Sequence, residues 1–148
     1  MPTHAEKRYL PYPPTDLYDL VADIEKYPEF LPWCMALRVR NRDGNVLSSD
    51  MVIGFKMFRE SFTTRVTLNP SHRIDVEYLN GPFRYLNNHW IFEDGENGGC
   101  VIDFYVDFEF RSILLQKAIG VVFNEAVTKM INAFEVRANN VLGGKKAP

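Results

Sequence analysis

Cysteine, long hydrophobic runs and charge of a single sign are all scarce in this sequence of 148 residues. The two cysteines, Cys34 and Cys100, lie far apart and form neither a Cys-x-x-Cys motif nor a cluster with histidine. This spacing argues against a disulfide scaffold and against a metal site, and it predicts reduced thiols in a cytosolic protein. No apolar run approaches the roughly 20 residues of a membrane-spanning helix. The net charge is −2 without a long run of either sign, so DNA binding is not expected.

Aromatic residues, in contrast, are abundant: the chain has eleven Phe, seven Tyr and two Trp. A hydrophobic core can use that many, and so can a cavity that holds a large apolar ligand.

The segment KYPEFLPWC, residues 26–34, concentrates large apolar groups where ordinary loops are polar. Neither a helix nor a strand interior accommodates both Pro28 and Pro32, so the segment is predicted to be a short, stiff connector. We expect Pro28 to start a one-turn helix and Pro32 to end it. Together with the strands and the long helix predicted below, the connector is expected to form a stiff aromatic lid or rim beside a cavity mouth. Its large side chains are Tyr27, Phe30, Leu31 and Trp33.

Alternating polarity from about residue 35 to residue 110 predicts about six antiparallel strands joined by short turns. The clearest run is VIDFYVDFEF, residues 101–110, which has a wholly apolar inner face. A further strand is predicted near the amino terminus, in HAEKRYLPY. A helix is expected after it, with Thr15 as its N-cap.

A long helix is predicted from Ser112, as N-cap, to Leu142, with Gly143 as the C′ residue. At 1.5 Å per residue it is about 45 Å long, enough to cross a small domain. Its first turns also place Ile113, Leu114 and Val121 on the face that should be wet. The predicted fold is α+β, with a curved antiparallel sheet of about seven strands around the helix. Residues 1–148 are expected to form a single domain in which 143–148 are a flexible tail.

Four motifs occur in order between about residue 8 and residue 141: YPEFLPWC, FRESFTTRV, LNGPFRYLNNHW and VDFEFRSILLQ. With this spacing the chain resembles the coenzyme Q-binding family of START-like proteins, in the polyketide cyclase and lipid-transfer superfamily. It also resembles the closely related bacterial ribosome-association toxins. The resemblance implies a helix-grip fold and an apolar tunnel for a polyprenyl quinone such as ubiquinone, or for a similar lipid. It implies neither catalysis nor a cofactor, and the quinone would be the bound ligand.

The predicted ligand site combines inner-face strand residues with the apolar stripe of the long helix and with the connector. The alternative is that these side chains simply pack together as core. The candidates are Tyr27, Phe30, Trp33, Phe55, Phe62, Trp90, Phe104, Phe108, Ile119, Val122, Phe123 and Met130. A quinone headgroup needs hydrogen-bond donors, for which the candidates are Tyr27, Trp33, Asn87, Asn88 and Trp90.

Two surfaces are candidates for partners. One surface is an arginine stripe on a single strand, where Arg38, Arg40 and Arg42 alternate and should project from the same face. These arginines are either balanced by acidic neighbours, or they dock on anionic lipid headgroups or on ribosomal RNA phosphates. Leu31, Ile113 and Leu114 are either mutually buried or rim the cavity entrance and dip into a membrane.

The first fourteen residues show no secretory or organelle-import pattern. We therefore expect a cytoplasmic protein with transient, peripheral contact at the inner face of the membrane.

Catalytic groups are sparse. The histidines His4, His72 and His89 are scattered, and we expect them to be solvated. No nucleophile or metal-ligand spacing is recognisable. Glu60 is the most interesting acid because it lies among aromatic residues, and we expect it to form an ion pair or hydrogen bond within the sheet.

A non-catalytic carrier of quinone in support of respiration is the favoured function. A ribosome-associating factor is the alternative, and a cyclase-like enzyme is a third reading.

Overall fold

The computed structural model describes residues 3–55 and 58–143, apart from the side chains of Phe55 and Phe58. The predicted tail therefore lies outside the described residues, except for Gly143. Seven antiparallel strands form one sheet in the order β1-β7-β6-β5-β4-β3-β2. The strands are β1 (Thr3–Leu10), β2 (Cys34–Asp43), β3 (Val46–Phe55), β4 (Phe58–Asn69), β5 (Arg73–Asn80), β6 (Phe83–Asp94) and β7 (Cys100–Phe110). The helices are α1 (Pro14–Ala22), a 3₁₀ connector helix (Ile24–Glu29), a short 3₁₀ turn (Glu96–Gly98) and α2 (Ile113–Leu142).

This architecture is the predicted helix-grip arrangement, in which a seven-stranded antiparallel sheet faces a long carboxyl-terminal helix. Strand alternation explains the sheet. On β7, Ile102 and Phe104 are buried on the concave face, whereas Asp103 and Tyr105 are only partly buried. The concave face is apolar because it is covered by α2.

A glycine fixes the turn between β5 and β6. Gly81 has a φ of +146°, and a Cβ at this position would lie 2.5 Å from the Cβ of Phe62. Only glycine adopts this backbone conformation without strain and also leaves room for the neighbouring strand. The turn thereby holds the end of β5 against Phe62.

The helix ends differ in part from the predicted ones. Ser112 caps α2 as expected, since its hydroxyl accepts a hydrogen bond from the Leu115 amide at 3.2 Å. The prediction for Gly143 was wrong, because its φ of −53° is right-handed rather than the left-handed conformation of a C′ glycine. The prediction of Thr15 as N-cap was also wrong. Helix α1 starts at Pro14, whose fixed φ suits the first helical position.

The connector helix starts earlier than predicted. It runs from Ile24 to Glu29 and contains Pro28, so that proline does not start it. The helix ends at Glu29, before Pro32, where the amide of Phe30 donates to the Tyr27 carbonyl at 3.2 Å. A 3₁₀ helix of six residues tolerates an internal proline because few of its amides need intrahelical acceptors.

Aromatic rings join the connector helix to the second half of α2. The ring of Phe134 makes edge-to-face contacts with Tyr27 at 5.4 Å and with Phe30 at 5.1 Å, and it also contacts Trp90 at 4.9 Å. Such contacts stabilise beyond their buried area, by about 0.5–1.5 kcal/mol each. The connector is therefore part of the core at this end of α2.

Candidate functional site: an apolar cavity between the sheet and α2

A cavity of about 230 Å³ lies between the concave face of the sheet and α2. Most of the residues predicted from the sequence line it. These are Tyr27, Trp33, Phe62, Trp90, Phe104, Phe108, Ile119, Phe123 and Met130. The predicted inner faces of the strands and the apolar stripe of α2 therefore do not pack against each other along their whole length, and they leave an apolar space.

Three predicted members do not form part of the described lining. The ring of Phe30 packs against Phe134, with the Arg137 guanidinium carbon 5.0 Å from its centroid. Val122 is half-buried and does not form part of the lining; on the helical wheel it lies at the edge of the α2 face that does. Predicting that Phe30 and Val122 line the cavity was wrong. The side chain of Phe55 lies outside the described residues.

Strand register identifies lining residues that the sequence prediction did not single out. Met51 lies opposite Phe62 and Ser49 lies opposite Thr64, so both β3 residues share the cavity face. The period-two signal was present in both strands, but their relative register was unknown. Further lining residues outside the predicted ligand set are Leu37, Ile53, Val66, Val76, Leu86 and Val106 on the strands and Leu115, Ala126 and Val127 on α2.

Most polar side chains of the lining are already paired within the protein. The Tyr27 hydroxyl donates to the Val21 carbonyl, and burial, together with the nearby Cys34 and Asp23 groups, raises the pKa of this phenol. The hydroxyls of Ser49 and Thr64 share a hydrogen bond of 3.2 Å. Tyr27 is therefore not a free donor for a headgroup.

The asparagines separate onto the two faces of β6. The Asn88 side-chain amide lines the cavity and donates to the Tyr105 carbonyl at 2.8 Å. Asn87 is exposed and is not part of the lining, so predicting it as a headgroup donor was wrong. The period of two on a strand places adjacent residues on opposite faces.

Trp33 keeps an unused donor. Its side chain lines the cavity, and its indole Nε1 is buried without a hydrogen-bond partner among the described residues. Buried donors are nearly always paired, so this atom departs from the usual rule.

Glu60 is the one charged side chain among the described residues of the lining. It lies opposite Ile53 in the register, on the same face of β4 as Phe62, and is partly buried. Within residues 3–55 and 58–143, no hydrogen bond or ion pair to Glu60 is found. The predicted ion pair or hydrogen bond within the sheet is thus not observed there.

The first turns of α2 present apolar groups both to the cavity and to solvent. Leu115 and Ile119 line the cavity, whereas Ile113, Leu114 and Val121 are 71%, 79% and 85% exposed. We call these three exposed residues the α2 patch. The prediction that apolar groups occupy the wet face here is confirmed. Predicting Leu31 as a surface residue was wrong, because it is 4% exposed and lies in the core.

A β-bulge separates the three arginines of β2. The register shifts between Val39 and Asn41, so Arg38 lies opposite Asp50 whereas Arg42 lies opposite the buried Leu47. Arg40 forms an ion pair with Asp50 at 3.4 Å. The prediction of one common face was therefore wrong for Arg42, which turns towards the connector helix and pairs with Glu25 at 3.4 Å.

The histidines lie away from the cavity. His72 is exposed, and His89 stacks on Tyr105 on the outer face with ring centroids 5.2 Å apart. His4 is partly buried, and its Nε2 lies 2.9 Å from a Glu6 carboxylate oxygen.

In the parts of the chain that the structure describes, no group of three or more His, Cys, Asp or Glu side chains could hold a metal ion. In the same ranges no helix combines the length and the apolarity needed to cross a bilayer.

Comparison with known proteins gives the family. The sequence model described as "Polyketide cyclase / dehydrase and lipid transport" matches residues 10–135. The chain belongs to this family. Among solved structures, a START superfamily protein from Mycobacterium smegmatis superposes with a TM-score of 0.80 at 13% identity, covering 94% of this chain and 98% of that one. The fold is therefore START-like, as the sequence motifs predicted.

Several family members are more similar in sequence. A ribosome association toxin, RatA, of Rickettsia prowazekii is 40% identical over 91% of this chain and 94% of its own. Coenzyme Q-binding protein COQ10 homolog B of Xenopus laevis is 31% identical over 98% of this chain and 61% of its own. The solution structure of an 18 kDa protein from Caulobacter crescentus is 37% identical, with a TM-score of 0.78, covering 97% of this chain and 99% of that one.

Proposed function

We propose that this protein binds an isoprenoid quinone, such as ubiquinone, in the cavity and carries it without chemical change. The apolar cavity beneath α2 is the observation that supports this proposal, because the described part of its lining contains one charged side chain among many aromatic and aliphatic ones. The similarity to a relative named as a coenzyme Q-binding protein supports the same ligand class. No cofactor beyond this ligand is proposed.

The size of the cavity limits how much of the ligand it encloses. An apolar cavity of about 150 Å³ is known to accept benzene, so 230 Å³ suits a substituted ring with about one prenyl unit. Each buried CH₂ contributes about 0.8 kcal/mol, which gives several kcal/mol for one prenyl unit before entropic costs. A longer tail has to extend out of the cavity and needs an apolar environment outside.

The α2 patch offers such an environment at a membrane surface. Ile113, Leu114 and Val121 project into solvent beside the exposed cations Arg111 and Lys117. Apolar side chains flanked by basic ones are typical of segments that lie in the interface of an anionic bilayer. We propose transient docking of these turns on the inner face of the cytoplasmic membrane.

The docking step has a matched control on the same helix. Replacing Ile113, Leu114 and Val121 with Ser should abolish flotation with liposomes that contain anionic phospholipid. Replacing Val136 and Val141, which are 56% and 54% exposed near the other end of α2, should leave flotation unchanged. Equal loss in both variants, or loss in neither, would contradict docking through the patch.

The quinone proposal can be tested with intrinsic fluorescence, because both tryptophans of the chain line the cavity. Titration with a short-chain ubiquinone analogue should quench Trp33 and Trp90 emission with saturation, and a non-quenching apolar lipid should reverse the effect by competition. Quenching that stays linear and is not reversed would count against the proposal.

Ribosome association is the second candidate, favoured by the name of the relative from Rickettsia prowazekii. The outer face of the sheet is a weak phosphate-binding surface, because its arginines are largely paired with acidic residues. These pairs are Arg40–Asp50, Arg65–Glu77, Arg73–Asp75 and Arg84–Glu109. If ribosome binding uses this face, the double substitution R38E/R40E should abolish co-sedimentation with ribosomal subunits and leave quinone quenching intact.

A cyclase-like reaction is less well supported by the site. General acid–base chemistry needs titratable groups placed around the reacting atoms, and Glu60 is the single acid of the described lining, where no histidine is found. We therefore propose binding without catalysis. Recovery of a bound quinone with unchanged mass after prolonged incubation would agree with this proposal, and conversion to a new product would contradict it.

A further inference from the structure

We propose that Glu60 makes the cavity selective for ligands whose polar end donates a hydrogen bond, so that a quinol or another phenol binds more tightly than the corresponding quinone. This inference rests on the proposed binding of an apolar ring compound in the cavity and specifies the form of that compound.

The position of Glu60 is the first observation. Its neighbours on the cavity face of β4 are Phe62, Thr64 and Val66, and its cross-strand partner is Ile53. A residue on this face points between the sheet and α2. Thr64 is satisfied by Ser49, whereas Glu60 has no hydrogen-bond or ion-pair partner in the described part of the chain.

Folding alone does not explain a carboxyl group here. A partly buried carboxylate that lacks a partner loses hydration without compensation, and an apolar residue at the same position would avoid that loss. Polar groups that destabilise a fold in this way are concentrated at functional sites. Glu60 is therefore expected to interact with something that enters the cavity.

The chemistry of the carboxylate defines what that group is. A carboxylate accepts hydrogen bonds and cannot donate them, whereas a quinone carbonyl also only accepts. A quinone placed against Glu60 would bring two acceptors together. The hydroxyl of a quinol or phenol would instead donate to Glu60 in a charge-assisted hydrogen bond, which is stronger than a neutral one. Of the other polar lining groups, Tyr27, Asn88 and the Ser49–Thr64 pair already have protein partners. The unpaired Trp33 Nε1–H is a donor and therefore suits an acceptor oxygen of the ligand, whereas Glu60 suits a donor.

The test uses two matched pairs of probes. A medium-chain alkylphenol and its methyl ether have the same apolar body and differ in the donor, and a short-chain ubiquinone analogue and its quinol differ in the same way. Affinities are measured by tryptophan quenching or calorimetry for the wild type, for Glu60→Gln and for Glu77→Gln. Glu77 is an exposed carboxylate that pairs with Arg65 away from the lining, so its variant is the control.

The inference predicts that the wild type and E77Q bind the phenol at least about tenfold more tightly than its ether, because a hydrogen bond to a charged group contributes that much. In E60Q the preference should disappear, because the amide can also donate to an ether or carbonyl oxygen. Thermal stability of E60Q should be equal to or higher than that of the wild type, which a purely structural role for Glu60 would not give.

The outcomes separate this inference from the proposed function. Equal binding of phenol and ether by the wild type, or a preference that persists in E60Q, would overturn the role of Glu60 while quinone binding could still stand. Selective phenol binding without saturable binding of either ubiquinone form would support Glu60 and overturn the quinone proposal. Failure of every probe to bind would overturn both.

Discussion

Filling the cavity should stabilise the protein and block its ligand. Ala126 lies on α2, is partly buried and lines the cavity, so Ala126→Leu extends a side chain into existing apolar space. Leucine adds three carbon groups that each contribute about 0.8 kcal/mol when buried, which gives at most about 2.4 kcal/mol. Fixing the leucine rotamer costs about 0.5–1 kcal/mol. The expected net gain in the free energy of unfolding is therefore about 1.5–2 kcal/mol.

Urea denaturation measures the change in the free energy of unfolding, and titration with quinone measures the change in affinity. In thermal unfolding, a stability gain of this size should raise Tm by roughly 3–8 °C in a domain of this length. The same leucine occupies volume that the ligand ring needs, so affinity for the short-chain ubiquinone analogue should fall at least about tenfold. The control is Ala118→Leu, the same substitution on α2 at a position outside the described lining, which should change neither quantity by much.

Two results would refute this reasoning. If A126L lowers stability, the space beneath α2 is too small or too rigid to accept three carbon groups, and overpacking has occurred. If A126L is stabilised but binds the quinone analogue as tightly as the wild type, the ligand does not use the cavity.

Two further predictions concern stability. Burial raises the pKa of Cys34 from 9.0 to about 11 and that of Cys100 from 9.0 to about 12, so above pH 9 the unfolded chain releases protons that the folded protein retains. The free energy of unfolding should therefore fall in this window by about 1.4 kcal/mol per pH unit for each thiol. Cys100→Ala should remove one such contribution from the pH dependence of the unfolding free energy, which urea denaturation measures. An unchanged pH dependence would contradict the burial argument. Gly81→Ala should cost at least about 2 kcal/mol, because of its positive φ and the close Cβ of Phe62, whereas Gly120→Ala, with nothing within 4 Å, should stabilise α2 by about 1 kcal/mol. Similar effects of the two glycine substitutions would show that the turn is not constrained as described.

The fold could be predicted from the sequence because its signals are local and periodic. The run that became β7 alternates cleanly, and Ser112 followed by a long apolar stripe predicted α2 to within a residue. These patterns, combined with the family motifs, gave the correct arrangement of sheet and helix.

The details of the site depended on long-range geometry that no local pattern contains. A bulge in β2 reverses the direction of Arg42, and one register step decides whether Asn87 or Asn88 faces the cavity. The connector was predicted to be a rim because its aromatic residues were unusual for a loop. In the structure Phe30 instead packs on α2, and Leu31 is buried in the core.

The central claim is that the cavity beneath α2 holds an isoprenoid quinone or quinol. Organic extraction of the freshly purified protein, followed by mass spectrometry of the extract, tests it most directly. The account predicts a co-purifying quinone or quinol in the wild type and A118L, and its loss in A126L. Absence of any isoprenoid quinone from the wild type, or equal amounts in wild type and A126L, would contradict it.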